Sequence, residues 1–219
     1  MKKKKIISFL LAGLMLMFAL PVYSATSELP VRGRILLQVE EHGEAYYVPV
    51  NEYKKYYLGR PDDAFAIMRE FGVGISNKDL TNIPIANFNL NVAFDSVRFG
   101  DSDEDGLSDA VERSFGTKVN LKDTDGDGFS DYTEIINGYS PLDPKINSKI
   151  VTDKRFASKH LGKIFLQVES LGEAWYVNPV DGKRYFLGKP EDAFSIMHYL
   201  GLGISNKDIN TIPTVVGIR

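Results

Sequence analysis

One stretch of about fifty residues occurs twice in this chain, and no other feature of the sequence constrains its fold so strongly. Residues 35–84 and residues 164–213 align at a constant offset of 129 without a gap, and well over half of the positions are identical. Self-similarity at this level indicates a duplicated structural unit. The fold can therefore be predicted for one copy and applied to the other.

Each copy predicts a small α+β module that begins with three strands. In the first copy these are ILLQVE, EAYYV and KKYYL, and in the second they are IFLQVE, EAWYV and KRYFL. Aromatic and β-branched residues favour strands, and the glycines between these segments favour turns. We expect a three-stranded antiparallel sheet in each module.

Helix signals follow the third strand. In GRPDDAFAIMREFG, Pro61 and the two aspartates suit a first helical turn, and Gly72 suits the end of the helix. The spacing predicts that Phe65, Met68 and Phe71 face the sheet. The next motif, SNKD, has capping-box spacing and predicts a short second helix that stops before Pro84.

The first 25 residues have the order of a secretory signal peptide. Four lysines precede an apolar run from residue 6 to residue 20, and Pro21 and small residues follow it. We predict cleavage after Ser24 or Ala25. A retained anchor is the alternative, because the run approaches the roughly 20 residues that a spanning helix needs. We expect no membrane span after cleavage, since the remaining sequence has no second apolar run.

Negative charge is concentrated in one part of the chain. The formal net charge is −3, and it is −7 without the four lysines of the signal peptide. Residues 101–134 contain eleven acidic and three basic residues and alone carry −8. The sequence has no basic face of the kind that binds nucleic acid. It also has no cysteine, so disulfides cannot stabilise it and a thiol cannot act as a nucleophile.

Two stretches in this acidic segment, DSDEDGLSDAVE and DTDGDGFSDYTE, have the ligand spacing of an EF-hand loop. Carboxylates stand at positions 1, 3, 5, 9 and 12, glycine permits the bend at position 6, and position 7 offers its backbone carbonyl. Hard oxygens suit Ca²⁺ better than Mg²⁺ or zinc. A solvated acidic loop without metal is the alternative, but two complete matches favour about two bound Ca²⁺ ions. The predicted ligands are Asp101, Asp103, Asp105, Leu107, Asp109 and Glu112 in the first loop, and Asp123, Asp125, Asp127, Phe129, Asp131 and Glu134 in the second.

These loops differ from paired EF-hands, because they begin only 22 residues apart and carry Ser108 and Ser130 at position 8. The segment from DSDEDG to INGYSP instead resembles the thrombospondin type 3 repeats of bacterial secreted proteins, with Val119 where that family usually has proline. The resemblance implies a calcium-ordered connector outside the cell with no catalytic role. An apolar stripe after each loop predicts a short helix, and the two stripes are expected to bury each other. The stripes are Leu107, Val111 and Phe115, and then Phe129, Tyr132 and Ile136.

Signals for catalysis are weak. His42, His160 and His198 do not recur in the other copy, which favours surface positions, and the sequence has no G-x-S-x-G motif. Carboxylates that both copies share are the best candidates for an enzyme, since two of them flank a turn and suit a glycosidase acid–base pair. Solvated hairpin charges and helix first turns are the alternative explanation. The shared residues are Glu40 and Glu169, Glu44 and Glu173, and Asp63 and Asp192.

Aromatic residues that recur in both copies offer a binding surface. Neighbours on a strand point to opposite faces, so half are expected in the core and half outside. An outer row can stack on sugar rings or contact a partner, and ordinary sheet packing is the alternative. The residues are Tyr46, Tyr47, Tyr56 and Tyr57, and Trp175, Tyr176, Tyr185 and Phe186.

The sequence as a whole predicts a secreted, non-enzymatic calcium-binding protein of the bacterial cell surface or extracellular matrix. Its two modules would mediate adhesion by binding a cell-wall glycan or a surface protein, with avidity on a repetitive target. A secreted glycan- or peptidoglycan-active accessory enzyme is the alternative. The ligand and the oligomeric state stay open. The predicted division is a signal peptide (1–25), a first module (33–86), a linker or edge strand (87–100), the calcium loops (101–140), a linker (141–161) and a second module (162–219).

Overall fold

The fold is that of a computed structural model, which describes residues 28–86 and 100–215. The predicted signal peptide and nearly all of the predicted linker or edge strand at 87–100 lie outside the described residues.

The described chain contains nine strands and seven helices. The strands are β1 (Ile35–Gln38), β2 (Ala45–Tyr47), β3 (Lys55–Tyr57), β4 (Gly72–Ile75), β5 (Ile164–Gln167), β6 (Ala174–Val177), β7 (Arg184–Phe186), β8 (Leu202–Ile204) and β9 (Thr214–Val215). The helices are α1 (Pro61–Phe71), α2 (Asn77–Thr81), α3 (Asp109–Phe115), α4 (Asp131–Asn137), α5 (Lys154–Ser158), α6 (Pro190–Leu200) and α7 (Asn206–Ile209).

The helix signals of the repeat are confirmed. Helix α1 begins at Pro61, has aspartates in its first turn and ends at Gly72. Helix α2 is capped as its motif predicts, because the Ser76 hydroxyl accepts a hydrogen bond from the Asp79 amide at 3.1 Å. Its counterpart α7 is capped by Ser205 in the same way.

One prediction for α1, that Phe65 faces the sheet, is wrong. The buried residues of this helix are Ala64, Ile67 and Met68, and Phe71 is partly buried, whereas Phe65 is exposed. The difference arises because 64, 67, 68 and 71 follow the helical i, i+3, i+4, i+7 stripe. Phe65 lies beside that stripe.

Two sheets confirm the predicted α+β fold with two modules, but each sheet also takes strands from the other copy. Sheet 1 has the order β8-β1-β2-β3-β9, and sheet 2 has the order β4-β5-β6-β7. The three strands that each copy was predicted to form are antiparallel neighbours. Strand β4 of the first copy pairs in parallel with β5, and β8 of the second copy pairs in parallel with β1. The modules have therefore exchanged equivalent strands.

Side chains hold each exchanged segment in place. The Glu169 carboxylate accepts a hydrogen bond from the amide of Asn77 at 2.8 Å, at the start of α2. Glu40 accepts from the amide of Asn206 at 2.7 Å, at the start of α7. Each glutamate thus caps a helix of the opposite copy, and a carboxylate is favourable at a helix N-terminus.

The backbones of the two copies touch at equivalent glycines. Gly33 and Gly162 both have positive φ, and a Cβ on Gly162 would lie 2.4 Å from the Cα of Gly33. The hydroxyl of Tyr47 donates to the carbonyl of Gly162 at 2.8 Å, and that of Tyr176 donates to the carbonyl of Gly33 at 2.7 Å. This reciprocal contact gives the molecule an approximate twofold axis.

A single core is shared by both modules. It joins the inner faces of the two sheets to α1 and α6, which pack against each other. Tyr47 and Tyr56 of sheet 1 and Tyr176 and Tyr185 of sheet 2 lie in this core. Half of the recurring aromatic residues thus face inward, as strand alternation predicts.

The calcium-loop segment (residues 101–140) covers the outer face of sheet 2. Leu107, Val111 and Phe115 are buried in one cluster with Trp175 and Phe186. The predicted first stripe is therefore buried against the sheet, and Tyr132 of the second stripe packs against the same cluster.

The second predicted stripe is confirmed at Tyr132, which packs against this cluster, and is wrong at Phe129 and Ile136. Phe129 is 48% exposed and Ile136 is 38% exposed, whereas Ile135 is buried. Helix α4 buries the face that carries Ile135. Asp131 and Glu134, the last predicted ligands of the second loop, are buried on the same face.

The longest helices of the described residues have 11 residues. In these parts of the chain, none is both long and apolar enough to cross a membrane.

Candidate metal centre

The first three carboxylates of each loop converge. Asp101, Asp103 and Asp105 place one oxygen each within 4.8 Å of one another, and Asp123, Asp125 and Asp127 do the same. Since like charges repel at this separation, the arrangement needs a compensating positive charge.

Backbone amides shape both loops around their first residue. Asp101 accepts hydrogen bonds from the amides of Asp105 and Gly106, at 3.2 and 3.1 Å. Asp123 accepts from the amides of Gly126 and Gly128, at 2.7 and 2.9 Å, so the donor at position 6 is common to both loops. The position-6 glycines have φ of 101° and 98°, a conformation that other residues rarely adopt.

The closing glutamates have no protein partners for their charge. Glu112 is 1% exposed and Glu134 is 5% exposed. Buried carboxylates are normally hydrogen-bonded or bound to a cation. Among the described residues, the loop oxygens that are buried without a hydrogen bond are Asp103 Oδ2, Glu112 Oε1, Glu112 Oε2, Asp125 Oδ2 and Glu134 Oε2. These oxygens are the hard ligands that a calcium ion requires, so the residues fit the metal.

The electrostatics lead to the same conclusion. Burial, with Asp103 and Asp105 nearby, raises the pKa of Glu112 to about 8. Burial and the neighbouring aspartates raise the pKa of Glu134 to about 7. Both loops are thus costly to ionise, and a bound divalent cation removes that cost.

The predicted ligands at position 9 of each loop also accept hydrogen bonds from the protein. Asp109 accepts hydrogen bonds from the amide and the hydroxyl of Ser102, both at 2.9 Å. Asp131 accepts the same pair from Thr124, at 2.9 and 2.7 Å. These carboxylates tie the start of each loop to the following helix. Their role as ligands, and that of the carbonyls of residues 107 and 129, stays a prediction.

The two loops form one unit. The Asp105 carboxylate accepts a hydrogen bond at 2.9 Å from the amide of Tyr132, in the first turn of the helix after the other loop. The Lys122 ammonium donates to the carbonyl of Glu104 at 2.9 Å. These hydrogen bonds couple the conformations of the two loops.

Buried polar contacts join this unit to sheet 2, and the sequence pattern does not reveal them. Gln167 is fully buried. Its amide nitrogen donates to the carbonyl of Arg113 at 3.2 Å, and its oxygen accepts from the indole of Trp175 at 3.1 Å. Arg113 also forms an ion pair with Glu173 at 3.0 Å. The sequence offers one signal for these contacts, which is a polar glutamine in an otherwise apolar strand (ILLQ and IFLQ).

The carboxylates that both copies share all have structural partners where they are described. Glu40 and Glu169 cap exchanged helices, as shown above. Glu44 accepts from the amide of His42 at 3.1 Å, and Glu173 accepts from Leu171 at 3.0 Å. Asp63 pairs with Arg60 at 3.2 Å. The side chain of Asp192 lies outside the description.

Only one histidine lies fully at the surface. His42 is exposed, whereas the rings of His160 and His198 are half-buried and pack on Phe156 and Phe194, with centroids 4.5 and 4.4 Å apart. The surface positions expected for these two are wrong, because an imidazole beside a phenylalanine buries its ring edge.

Comparison with known proteins assigns the central segment. Residues 101–117 and 123–144 match the family model of the bacterial TSP3 repeat. No curated protein and no solved structure has significant similarity to the chain. The match confirms the resemblance to thrombospondin type 3 repeats. These two stretches are similar to bacterial TSP3 repeats, which bind calcium and are typical of extracellular proteins.

Proposed function

We propose that this chain is a secreted, calcium-binding, non-enzymatic protein of the bacterial cell surface or extracellular matrix. It binds two calcium ions, and its repeated modules adhere to a cell-wall glycan or a surface protein. The observation that carries the proposal is the set of five buried, unpaired carboxylate oxygens in two loops of the TSP3 segment.

Calcium has a structural role in this proposal. Two divalent ions offset half of the −8 charge of residues 101–134 and keep α3 packed on sheet 2. Extracellular calcium modules typically bind at about 10⁻⁴–10⁻³ M. The sites would therefore be filled outside the cell and would not act as sensors of brief signals.

The partners follow from the surface and charge of the modules. Without the signal peptide and residues 101–134, the chain is nearly neutral, which supports binding to uncharged targets over nucleic acid. The shared carboxylates that are described each hold a hydrogen bond or an ion pair within the protein, which supports a non-enzymatic role. The protein works without a membrane span once the signal peptide is removed.

Calorimetric titration with CaCl₂ tests the metal sites. We expect a stoichiometry of two, reduced to one by Glu112→Gln and to one by Glu134→Gln. Glu104→Gln is the control, since this residue is exposed at position 4 of the first loop. Absence of binding at millimolar calcium would refute the proposal.

Incubation with isolated bacterial cell walls separates adhesion from catalysis. Retention of the protein without release of soluble sugars supports the proposal. Release of sugars by the wild type that is lost in Glu44→Gln would establish the enzyme instead.

A further inference from the structure

We propose that a cleft beside Tyr57 in the first module binds a sugar ring of an uncharged glycan. This inference rests on the proposed adhesive function and assigns it to one site. The site lies near the edge of sheet 1, far along the chain from the calcium loops.

The two modules differ most at the outer aromatic positions. Phe186 is 2% exposed beneath the calcium-loop segment, whereas Tyr57, at the same position of the first module, is 46% exposed. Trp175 is likewise fully buried, and its equivalent Tyr46 is half-buried. The open module thus carries hydroxyl-bearing rings, which suit a surface that meets both water and a ligand.

The cleft next to Tyr57 has the size of a ligand site. Its volume is about 380 Å³, within the roughly 300–1,000 Å³ of small-molecule pockets. Strand β3 supplies Tyr56 and Tyr57, and the start of α1 supplies Arg60 and Asp63. Ile67 also contributes to the lining. The cleft therefore combines an aromatic wall with a polar rim.

The polar rim suits sugar hydroxyls. Arg60 and Asp63 form two hydrogen bonds with each other, at 3.2 and 3.3 Å. A guanidinium has five N–H donors and a carboxylate has about four acceptor positions, so most remain available. Adjacent hydroxyls of a sugar ring both donate and accept and can join such a pair. Because the two charges neutralise each other, the rim favours an uncharged glycan.

The aromatic wall is held in a fixed orientation. The Tyr57 ring lies directly against Gly59, where an added Cβ would lie 2.0 Å from the Cε1 atom of the ring. The Tyr46 ring packs against Tyr57 with centroids 5.4 Å apart and an angle of 47°. A ring that is already ordered loses little entropy when a ligand stacks on it.

A concave site of this size favours a sugar over a protein partner. A stable protein interface needs about 800 Å² on each side, and apolar contacts at its centre. Here one exposed ring and one paired rim are arranged around a small cleft. The C–H face of a sugar ring matches the tyrosine, and its hydroxyls match the rim.

Binding of neutral oligosaccharides tests the site. The wild type, with saturating calcium, is titrated with cellohexaose, maltohexaose and chitohexaose, and saturation-transfer NMR locates the bound ring. We expect at least one to bind and Tyr57→Ala to weaken binding about tenfold or more. Gly59→Ala should weaken it as well, because the ring is displaced. Tyr57→Phe retains the stacking surface and should bind within a few-fold of the wild type.

Controls keep the outcomes distinct. Tyr199→Ala removes another exposed tyrosine, on α6, and should not change binding. Thermal melting shows whether each variant is folded. If cell walls retain the protein and Tyr57→Ala does not reduce retention, the cleft is wrong while the adhesive function stands. The cleft is also wrong if protease treatment of the walls, but not periodate, abolishes retention. If neither walls nor oligosaccharides bind, both proposals fail.

Discussion

The two modules are identical at more than half of their positions and share the order of their equivalent strands, yet their outer faces are different environments. In the second module the face of sheet 2 is sealed by the calcium-loop segment. In the first, Tyr57 on the face of sheet 1 is 46% exposed. The outer face of sheet 1 is also partly covered, since Leu36 and Val48 are buried there with Ile204, Ile209 and Ile212, and the two modules differ most clearly in the exposure of Tyr57 and Phe186.

A residue that differs between the copies is consistent with this difference between the outer faces. Lys55 and Arg184 occupy equivalent positions, and each donates to backbone carbonyls of an exchanged segment, at 2.7–2.8 Å for Lys55 and 2.7 Å for Arg184. The Lys55 ammonium lies over one ring, 5.7 Å from the centroid of Tyr46, whereas the Arg184 guanidinium lies over two, at 4.8 and 5.0 Å from the centroids of Trp175 and Phe115. A flat cation between two rings explains arginine in the sealed module.

Removal of calcium should have the largest effect on the difference between the two modules. Each site, at a free calcium concentration 100 times its Kd, contributes about 2.7 kcal/mol to stability. A chelator should therefore lower the melting temperature and expose the face of sheet 2. Trp175, the chain's one tryptophan, should respond with fluorescence at longer wavelength.

A variant with its tryptophan in the first module shows whether the structural change on calcium removal is confined to the second module. In a Trp175→Phe, Tyr46→Trp variant the tryptophan lies on sheet 1, and the chelator should leave its emission wavelength nearly unchanged. Equal shifts in the two proteins would show that calcium stabilises both modules alike.

Gly162→Ala should destabilise both modules together, by about 3 kcal/mol or more. The added Cβ would collide with the backbone of Gly33 and the residue would keep an unfavourable positive φ. Gly172→Ala is the control, since Gly172 has φ of +84° and nothing within 4 Å of an added Cβ. Chemical denaturation should give it a loss of only about 1 kcal/mol. Equal losses would contradict the close contact of the two copies.

Gln167→Leu should cost about 2 kcal/mol, because it leaves the indole N–H of Trp175 and the carbonyl of Arg113 without partners. The equivalent change Gln38→Leu removes a half-buried hydrogen bond to Asn206 and should cost less than about 1 kcal/mol. Urea denaturation of the two variants measures the difference. Similar losses would mean that sheet 2 is no more tightly sealed than sheet 1.

A pH series tests the protonation of the two closing glutamates. Glu112 and Glu134 have pKa values raised from 4.5 to about 8 and about 7, so they bind protons more strongly folded than unfolded. Their contribution is present below about pH 4.5 and is lost as the pH rises through the folded pKa values. In a chelator, the melting temperature should fall between about pH 5 and pH 8. Saturating calcium should remove this trend, and a rise with pH in the chelator would contradict it.

Much of the local structure was predictable from the sequence. The spacing of Asp101, Asp103 and Asp105 indicated a converging cluster because alternate loop residues turn their oxygens inward. Pro61 marked the start of α1 because its fixed φ suits a first helical turn. Gly72 marked the end, where an added Cβ would lie 2.7 Å from Leu166. The first two of these signals act within a few residues.

The strand exchange could not be predicted, for a physical reason. The segments GVGI and GLGI are short and rich in glycine, so their pattern is weak. More importantly, β1 and β5 have nearly the same sequence and offer β4 equivalent partners. A duplicated sequence cannot indicate whether a strand pairs within its own copy or with the other. The sealed face of sheet 2 was missed because it depends on the same long-range arrangement.

The reciprocal exchange of β4 and β8 also determines when this chain can finish folding. Strand β1 pairs with residues 202–204, so the first sheet is incomplete until almost the whole polypeptide is present. Contacts of such long sequence separation are formed slowly. Under the proposed secretion, a chain exported in an extended state would keep its first module unfinished until residues 202–204 emerge. Proteolysis within the linker before β5 would separate the halves in sequence but not in space.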